Sequence, residues 1–259
     1  MRKWWLILIS CLQISVTYGQ TAEMALVKGG DYLPLYGIDK EEKVSVNSFY
    51  MDTKPVTHAD FLAFVKKFDQ WQKSRVRELF ADERYLSSWE GDLQVPEELM
   101  DKPVNNVSWF AAKAYCECQG KRLPNVDEWE YAAMADAEKP DARRDSLFNT
   151  AVLRTYEKPK TYLIPVGAGE KNYWGIHDLH GMVWEWTLDF NSVIITGESR
   201  NNGNTDKGLF CVGGAMGATD LMNYAAFIRY AMRTSLKANY TLNTLGFRCA
   251  KDVQTAFKQ

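Results

Sequence analysis

The sequence predicts an α+β fold with much irregular backbone, organised as a single domain. Short alternating strand patterns lie near the start, and capped helical patterns with one apolar face fill the middle. Beyond about residue 136, Gly, Asn, Asp and Pro turns separate short apolar runs, which predicts long loops held by a few strands. No internal repeat, heptad or low-complexity tract breaks this order.

Taken in order, residues 1–19 read as an export signal. Arg2 and Lys3 supply positive charge, residues 4–16 are mostly apolar, and Thr17-Tyr18-Gly19 places small residues where a signal peptidase cuts. Ser10, Gln13 and Ser15 interrupt the stretch, which is short for a membrane span. Leu8-Ile9-Ser10-Cys11 also meets a loose lipobox that would lipidate Cys11, and a retained anchor is a third reading. The expected mature domain is 20–259, periplasmic or secreted. It keeps Cys116, Cys118, Cys211 and Cys249, an even number in an oxidising destination, so one or two disulfides are expected.

Strand patterns follow at Met24–Val27 and at residues 44–51. Thr57 and Asp60 form a capping-box pair ahead of Phe61, Phe64 and Val65, whose spacing predicts a helix with one apolar face. Residues 68–102 are charged and aromatic. They read as an insertion packed on the domain, with a short helix at 73–80. Ser108 caps a further helix carrying Phe110, Ala111, Ala114 and Tyr115, and Asn125 with Glu128 caps another that runs to about Ala135. The net charge of -2 offers no basic excess for a phosphate backbone, which argues against nucleic acid. The 9 Trp and 13 Tyr suit a loop-rich fold in which rings pack and their polar edges tie down backbone.

Five segments in order resemble the formylglycine-generating (sulfatase-modifying-factor) family. They are Val46-Asn47-Ser48-Phe49-Tyr50 with Lys54-Pro55-Val56-Thr57 and Phe61; Pro103-Val104-Asn105-Asn106-Val107-Ser108-Trp109 with Ala114-Tyr115-Cys116; and Gly120-Lys121-Arg122-Leu123-Pro124 with Glu128-Trp129-Glu130-Tyr131-Ala132-Ala133. Then come Gly175-Ile176-His177-Asp178-Leu179-His180-Gly181-Met182-Val183-Trp184-Glu185-Trp186, and finally Gly213-Gly214, Arg233 and Leu245-Gly246-Phe247-Arg248-Cys249. The resemblance implies the formylglycine-generating-enzyme fold, which is C-type-lectin-like.

Active members of this family oxidise a cysteine in a sulfatase, using Cu(I) held by two cysteines in the segment after Gly-Gly. A soft, near-linear Cu(I) site needs those thiolates. Residues 212–248 contain no cysteine, and the two family positions fall near Ala218 and Ala225. Met216, Met222 and Met232 offer thioethers, although Met is also an ordinary gap-filler in cores, and no His follows residue 180. Copper, and with it the family oxidation, is therefore not expected.

The resemblance also implies one structural calcium site. Asp178 and Glu185 would bind through side-chain oxygens, and Gly181 and Val183 through backbone carbonyls; the alternative is that Asp178 and Glu185 cap local turns. Met182 stands where the family usually has Asn. His177 and His180 read as exposed or supporting residues because no third soft ligand for zinc is in reach, and His58 reads as the outer part of a capping turn. Asn149 matches an asparagine of a second family calcium site, but residues 150–160 hold no Asp. Cys116 and Cys249 fall on family positions that pair as a disulfide. The other family pair is replaced by Ala133 (or Ala132) and Tyr230, while Cys118 and Cys211 lie outside the pattern and either bridge or stay free.

The reading that follows is an exported non-catalytic accessory or binding protein with a protein or peptide partner. Its cleft candidates are Tyr224, Arg229 and Arg233, with Tyr230 nearby. Residues 71–91 resemble an insertion in exported members associated with copper nitrite reductases, which implies a role in maturing such a periplasmic metalloenzyme. The alternative is an oxidoreductase of the family acting on a protein cysteine or another substrate with non-standard metal ligands. No Ser-His-Asp set or phosphate loop points to a different enzyme.

Overall fold

The computed structural model describes residues 22–34, 43–191 and 221–254. Residues 1–19 with Cys11, and Cys211, Gly213, Gly214, Met216 and Ala218, lie outside the described residues, as does the side chain of Met222.

Seven short strands and five α-helices are described. The first half contains β1 (Met24–Val27), β2 (Gly30–Tyr32), β3 (Val44–Val46), β4 (Phe49–Asp52), α1 (His58–Lys67), α2 (Trp109–Cys118) and α3 (Val126–Ala133). The second half contains α4 (Ser146–Glu157), β5 (Trp184–Glu185), α5 (Leu221–Thr234), β6 (Leu245–Gly246) and β7 (Ala250–Asp252). An antiparallel sheet runs in the order β1-β4-β7, so the two ends of the domain meet on either edge of β4. Strands β2 and β3 form an antiparallel pair, and β5 and β6 a parallel one. In β4, Phe49 and Met51 point into the core and Tyr50 points out, the two-residue alternation of a half-buried strand.

The predicted caps close as the residues dictate. The Thr57 hydroxyl accepts from the Asp60 amide at 3.1 Å while the Asp60 carboxylate accepts from the Thr57 amide at 3.2 Å. Asn125 and Glu128 make the same reciprocal pair at 2.7 and 2.9 Å, and the Ser108 hydroxyl accepts from Ala111 at 3.2 Å. Each cap stabilises its helix start by about 1 kcal/mol.

Helices α1 and α2 bury their apolar faces in a ring-rich core. Phe61 stacks on Tyr115 at 5.9 Å, Phe64 meets Tyr115 edge-on at 5.5 Å, and Phe247 meets Tyr115 edge-on at 5.3 Å. The Cys116–Cys249 disulfide ties α2 to the end of the chain within this core, across 133 positions. Residues 68–102 join the same core through Trp71, Tyr85, Leu86 and Trp89. A second apolar layer, with Val27, Phe49, Met51, Trp129, Ile176 and Leu179, lies under the main sheet.

Several elements differ from the sequence expectations. The 44–51 stretch is two strands, β3 and β4, separated by Asn47 and Ser48, because the chain turns from one sheet to the other there. No helix forms at 73–80. The Ser74 amide and hydroxyl both bind the Asp92 carboxylate at 2.7 Å, and tight turns follow at Arg75, Val76 and Phe80. Helices α4 and α5 occupy ground where loops were expected, and α3 stops at Ala133, two residues early. His58 is fully buried and its Nδ1 accepts from the Trp89 indole N–H at 2.9 Å, so the first turn of α1 faces the insertion instead of solvent.

Candidate binding cleft

The inner face of α5 carries Ala225, Ala226, Arg229, Tyr230 and Arg233, all buried. Two arginines on a buried helix face require a counter-charge, and α3 supplies it as Glu130. The Glu130 carboxylate accepts from Arg229 Nε at 3.0 Å and Nη2 at 2.7 Å, and from Arg233 Nη1 at 2.6 Å. Burial pushes the Glu130 carboxyl up, but the two guanidinium groups outweigh it and hold its pKa at about 2. Two guanidinium groups thus share one carboxylate in direct contact, and the Asp189 carboxylate is a further acidic group within electrostatic reach of Arg233.

Next to it stands a second ion pair. Glu185 on β5 accepts from Arg248 Nε at 2.9 and 3.0 Å and from Arg248 Nη2 at 2.8 Å. The same carboxylate accepts the Trp129 indole N–H at 2.8 Å, and the Trp129 ring carries the Arg233 guanidinium at 4.9 Å. Trp129 thus joins the two ion pairs, stacked on one and hydrogen-bonded to the other. His180 closes the inner side, with Nε2 at 2.9 Å from the Ala133 carbonyl and Nδ1 at 3.4 Å from the Tyr156 hydroxyl. Burial, and then the charge of Arg229, lower its pKa to about 4, so it is neutral at ordinary pH.

Beside these groups lies a cavity of about 90 Å³ lined by Trp129, Tyr156, Trp184, Arg229 and Arg233, with Lys158 and three threonines (Thr155, Thr161, Thr244) around them. Tyr156 stacks on Trp184 at 5.0 Å. Gly181 lets the chain pass here: its φ is +81°, and a Cβ would lie 2.2 Å from Thr155 Cβ. A smaller cavity of about 20 Å³ lies behind, between Ala225, His180, Arg229 and Phe148.

Of the predicted cleft residues, Arg229 and Arg233 share the larger cavity, while Tyr224 is exposed, stacks on Phe227 and stands outside the wall. Tyr230 is buried with its ring 5.8 Å from the Arg233 guanidinium. Sequence reasoning missed Glu130, although it lies in the quoted Glu128-Trp129-Glu130 run, where Glu128 caps α3 and Glu130 faces inward. His180 proves to be half-buried and held by the Ala133 carbonyl, whereas His177 places Nδ1 2.6 Å from the Gly169 carbonyl on the outside.

The residues implied for metals do not fit them in this arrangement. Ala225 presents a methyl group to the small cavity, which binds no copper, and Met232 lines the larger cavity among aromatic and aliphatic groups. For calcium, the oxygens of Glu185 are filled by Arg248 and Trp129, and the Asp178 carboxylate accepts the Gly167 and Gly169 amides. Gly181 and Val183 line the cavity wall, and Asn149 uses its amide to bind the Arg143 and Asp145 carbonyls. Among the described residues no three His, Cys, Asp or Glu side chains gather as a metal site. A hard cation needs several oxygens free of hydrogen-bond donors, and Asp178 and Glu185 are not free. The disulfide expectation is met at Cys116 and Cys249, with their Cα atoms 5.6 Å apart, while Cys118 has no disulfide partner among the described residues.

Three relatives set this geometry in context. The chain is 26% identical over 258 residues to "Serine/threonine-protein kinase pkn1" of Chlamydia pneumoniae, covering 89% of the chain but only 38% of that protein. It therefore spans well under half the length of the relatives of that type. It is 28% identical to "Formylglycine-generating enzyme" of Bos taurus, covering 81% of the chain and 67% of the relative. It is also 28% identical to "Inactive C-alpha-formylglycine-generating enzyme 2" of Mus musculus, covering 70% and 73%. The family model for the sulfatase-modifying factor enzyme 1-like domain matches residues 14–253. With that match over nearly its whole length, and with the caps, disulfide and ion pairs built from the matching motifs, the chain belongs to the sulfatase-modifying factor enzyme 1-like (formylglycine-generating) family.

Proposed function

We propose that this protein is an exported, non-catalytic binding member of its family, which uses the α5 cleft to hold a protein or peptide partner. The observation that carries this reading is Ala225. Near the position where the resemblance puts the second family cysteine, α5 offers a buried methyl group beside a small cavity, and residues 212–248 contain no cysteine. The cleft wall itself is well built, with every carboxylate paired and the aromatic groups stacked. A mammalian relative named as inactive shows that the family tolerates members without the oxidation, and the buried disulfide suits an oxidising compartment. The finer reading, assistance in maturing a periplasmic metalloenzyme such as a copper nitrite reductase, rests on the likeness of residues 71–91 to those of exported members.

The experiment has two parts. The purified chain, loaded anaerobically with Cu(I) and then given oxygen and a Cys-x-Pro-x-Arg peptide, is expected to bind no stoichiometric copper and leave the cysteine unchanged by mass spectrometry. Conversion of the peptide cysteine overturns the reading. Affinity capture from the periplasm is expected to retain a metalloenzyme, and a capture that retains none removes the maturation role.

A further inference from the structure

The cleft has one feature that structural pairing does not use. A guanidinium has five N–H donors in a rigid fork, and Arg229 commits Nε, Nη1 and Nη2 to Glu130 and Tyr156. Arg233 commits only Nη1 to Glu130. Its Nε and Nη2 make no hydrogen bond among the described residues, and they are not among the sealed polar atoms that lack a partner. Solvent therefore reaches that edge, and Arg233 is one of the residues that line the cavity. The guanidinium lies 4.9 Å from the Trp129 ring and 5.8 Å from the Tyr230 ring, contacts that restrict its movement.

The surroundings favour an anion. Glu130 is the one carboxylate in direct contact with the two arginines, and Glu185, the carboxylate lining the cavity, is neutralised by Arg248; Asp189 acts on Arg233 from outside the cavity wall. Lys158 stands exposed at the rim. The hydroxyls of Thr155 and Thr161 donate to the carbonyls of Val152 and Met182, so they face a ligand as acceptors only and cannot replace Arg233 as the donor. Two parallel N–H groups on one guanidinium edge match the two oxygens of a planar carboxylate. Tyr156 and Trp184 provide an apolar wall for the group that bears it.

We propose that the α5 cleft binds a carboxylate through the free edge of Arg233, with an aromatic or apolar group of the same ligand against Tyr156 and Trp184. This rests on the binding reading above and names its ligand chemistry. The carboxylate belongs either to a small organic acid or to the free C-terminus of a peptide, and the test separates the two.

Isothermal titration of the full mature chain with phenylacetate and with phenylacetamide isolates the charge, because the two differ little in shape. Phenylacetate is expected to bind at least tenfold more tightly. N-acetyl-Ala-Phe with a free C-terminus and its C-terminal amide form the second arm. Tighter binding of the free-terminus peptide than of phenylacetate assigns a peptide terminus, and the reverse order assigns a small acid. The R233K variant keeps the charge and loses the fork, so it is expected to weaken phenylacetate binding about tenfold while leaving phenylacetamide unchanged. K158A, at an exposed position, is expected to weaken phenylacetate binding two- to threefold at low salt and not at high salt. Equal binding of acid and amide, or acid binding that R233K leaves intact, overturns the proposal. If neither acid binds while the chain stays inert toward the cysteine peptide and still captures its partner, only the carboxylate inference fails. If the chain converts the cysteine peptide, the binding reading fails whatever the titration shows.

Discussion

Around Phe61 the protein is held by rings; around Glu130 it is held by charges. In the first region α1, α2 and the insertion interlock Phe61, Phe64, Trp89, Tyr115 and Phe247 with the disulfide among them. Near the second, α3, α5, β5 and the last strands bring Glu130, Glu185, Arg229, Arg233 and Arg248 out of water and pair them. Non-directional packing tolerates a change of shape, whereas a buried charge must keep its partner. The contrast explains where a ligand site can sit: the ring-packed side is filled by apolar rings, and the charged side leaves one guanidinium edge over.

The largest way to break the ring-packed side is to open its cross-link. Replacing both Cys116 and Cys249 by alanine is expected to lower unfolding stability by about 5 kcal/mol, read by urea denaturation, because the bridge closes a loop of more than a hundred residues. Next is a matched pair of conservative changes. Glu130→Gln removes the counter-charge of two buried arginines and is expected to cost about 4 kcal/mol. Phe61→Leu keeps the apolar character and is expected to cost about 1 to 2 kcal/mol. Similar losses for the two would erase the distinction between the regions.

Acid sharpens the comparison. His58 in the ring-packed side and His180 in the charged side are both held neutral, each at a pKa of about 4, His58 by burial alone and His180 by burial and then Arg229. Both bind a proton more readily when unfolded, near pH 6.5. Their contribution is therefore intact above pH 6.5 and declines as the pH falls toward 4, by about 3 kcal/mol each at the low end. Glu130 has the same sense in a lower window: its contribution is intact above about 4.5 and declines toward 2. Melting temperatures from pH 7 to pH 3 are expected to fall in the histidine window first, and His180→Gln is expected to flatten that slope by about half. The smallest effect concerns calcium. With Glu185 closed by Arg248, addition of calcium or of a chelator is expected to leave the melting temperature unchanged, and a clear rise with calcium would show that Arg248 gives way.

The legible parts of this fold are those decided by neighbours in sequence. Thr57 with Asp60 and Asn125 with Glu128 announce their helices because the capping groups lie three residues apart and need nothing else. Helix α5 was hidden because its buried face includes Arg229 and Arg233, which spoil the apolar period that marks a helix. Helix α4 was hidden because it buries only Asn149 and Val152, while Leu147 stands in solvent. At the site, the family resemblance placed both arginines near the cleft and assigned Glu185 to calcium, but their partners lie 99, 103 and 63 positions away, beyond any spacing rule. His58 was misplaced for the same reason, since Trp89 reaches it from the insertion.

The claim on which the cleft depends is that Arg229 anchors Glu130 and Arg233 keeps an edge to spare. Double-mutant cycles in urea unfolding test it, pairing Glu130→Gln first with Arg229→Gln and then with Arg233→Gln. The bidentate contact predicts a coupling of about 3 kcal/mol for Glu130 with Arg229, and the single contact about 1 kcal/mol for Glu130 with Arg233. Equal couplings, or a larger one for Arg233, would contradict the account, because Arg233 would then be the anchor and not the group held ready for a ligand.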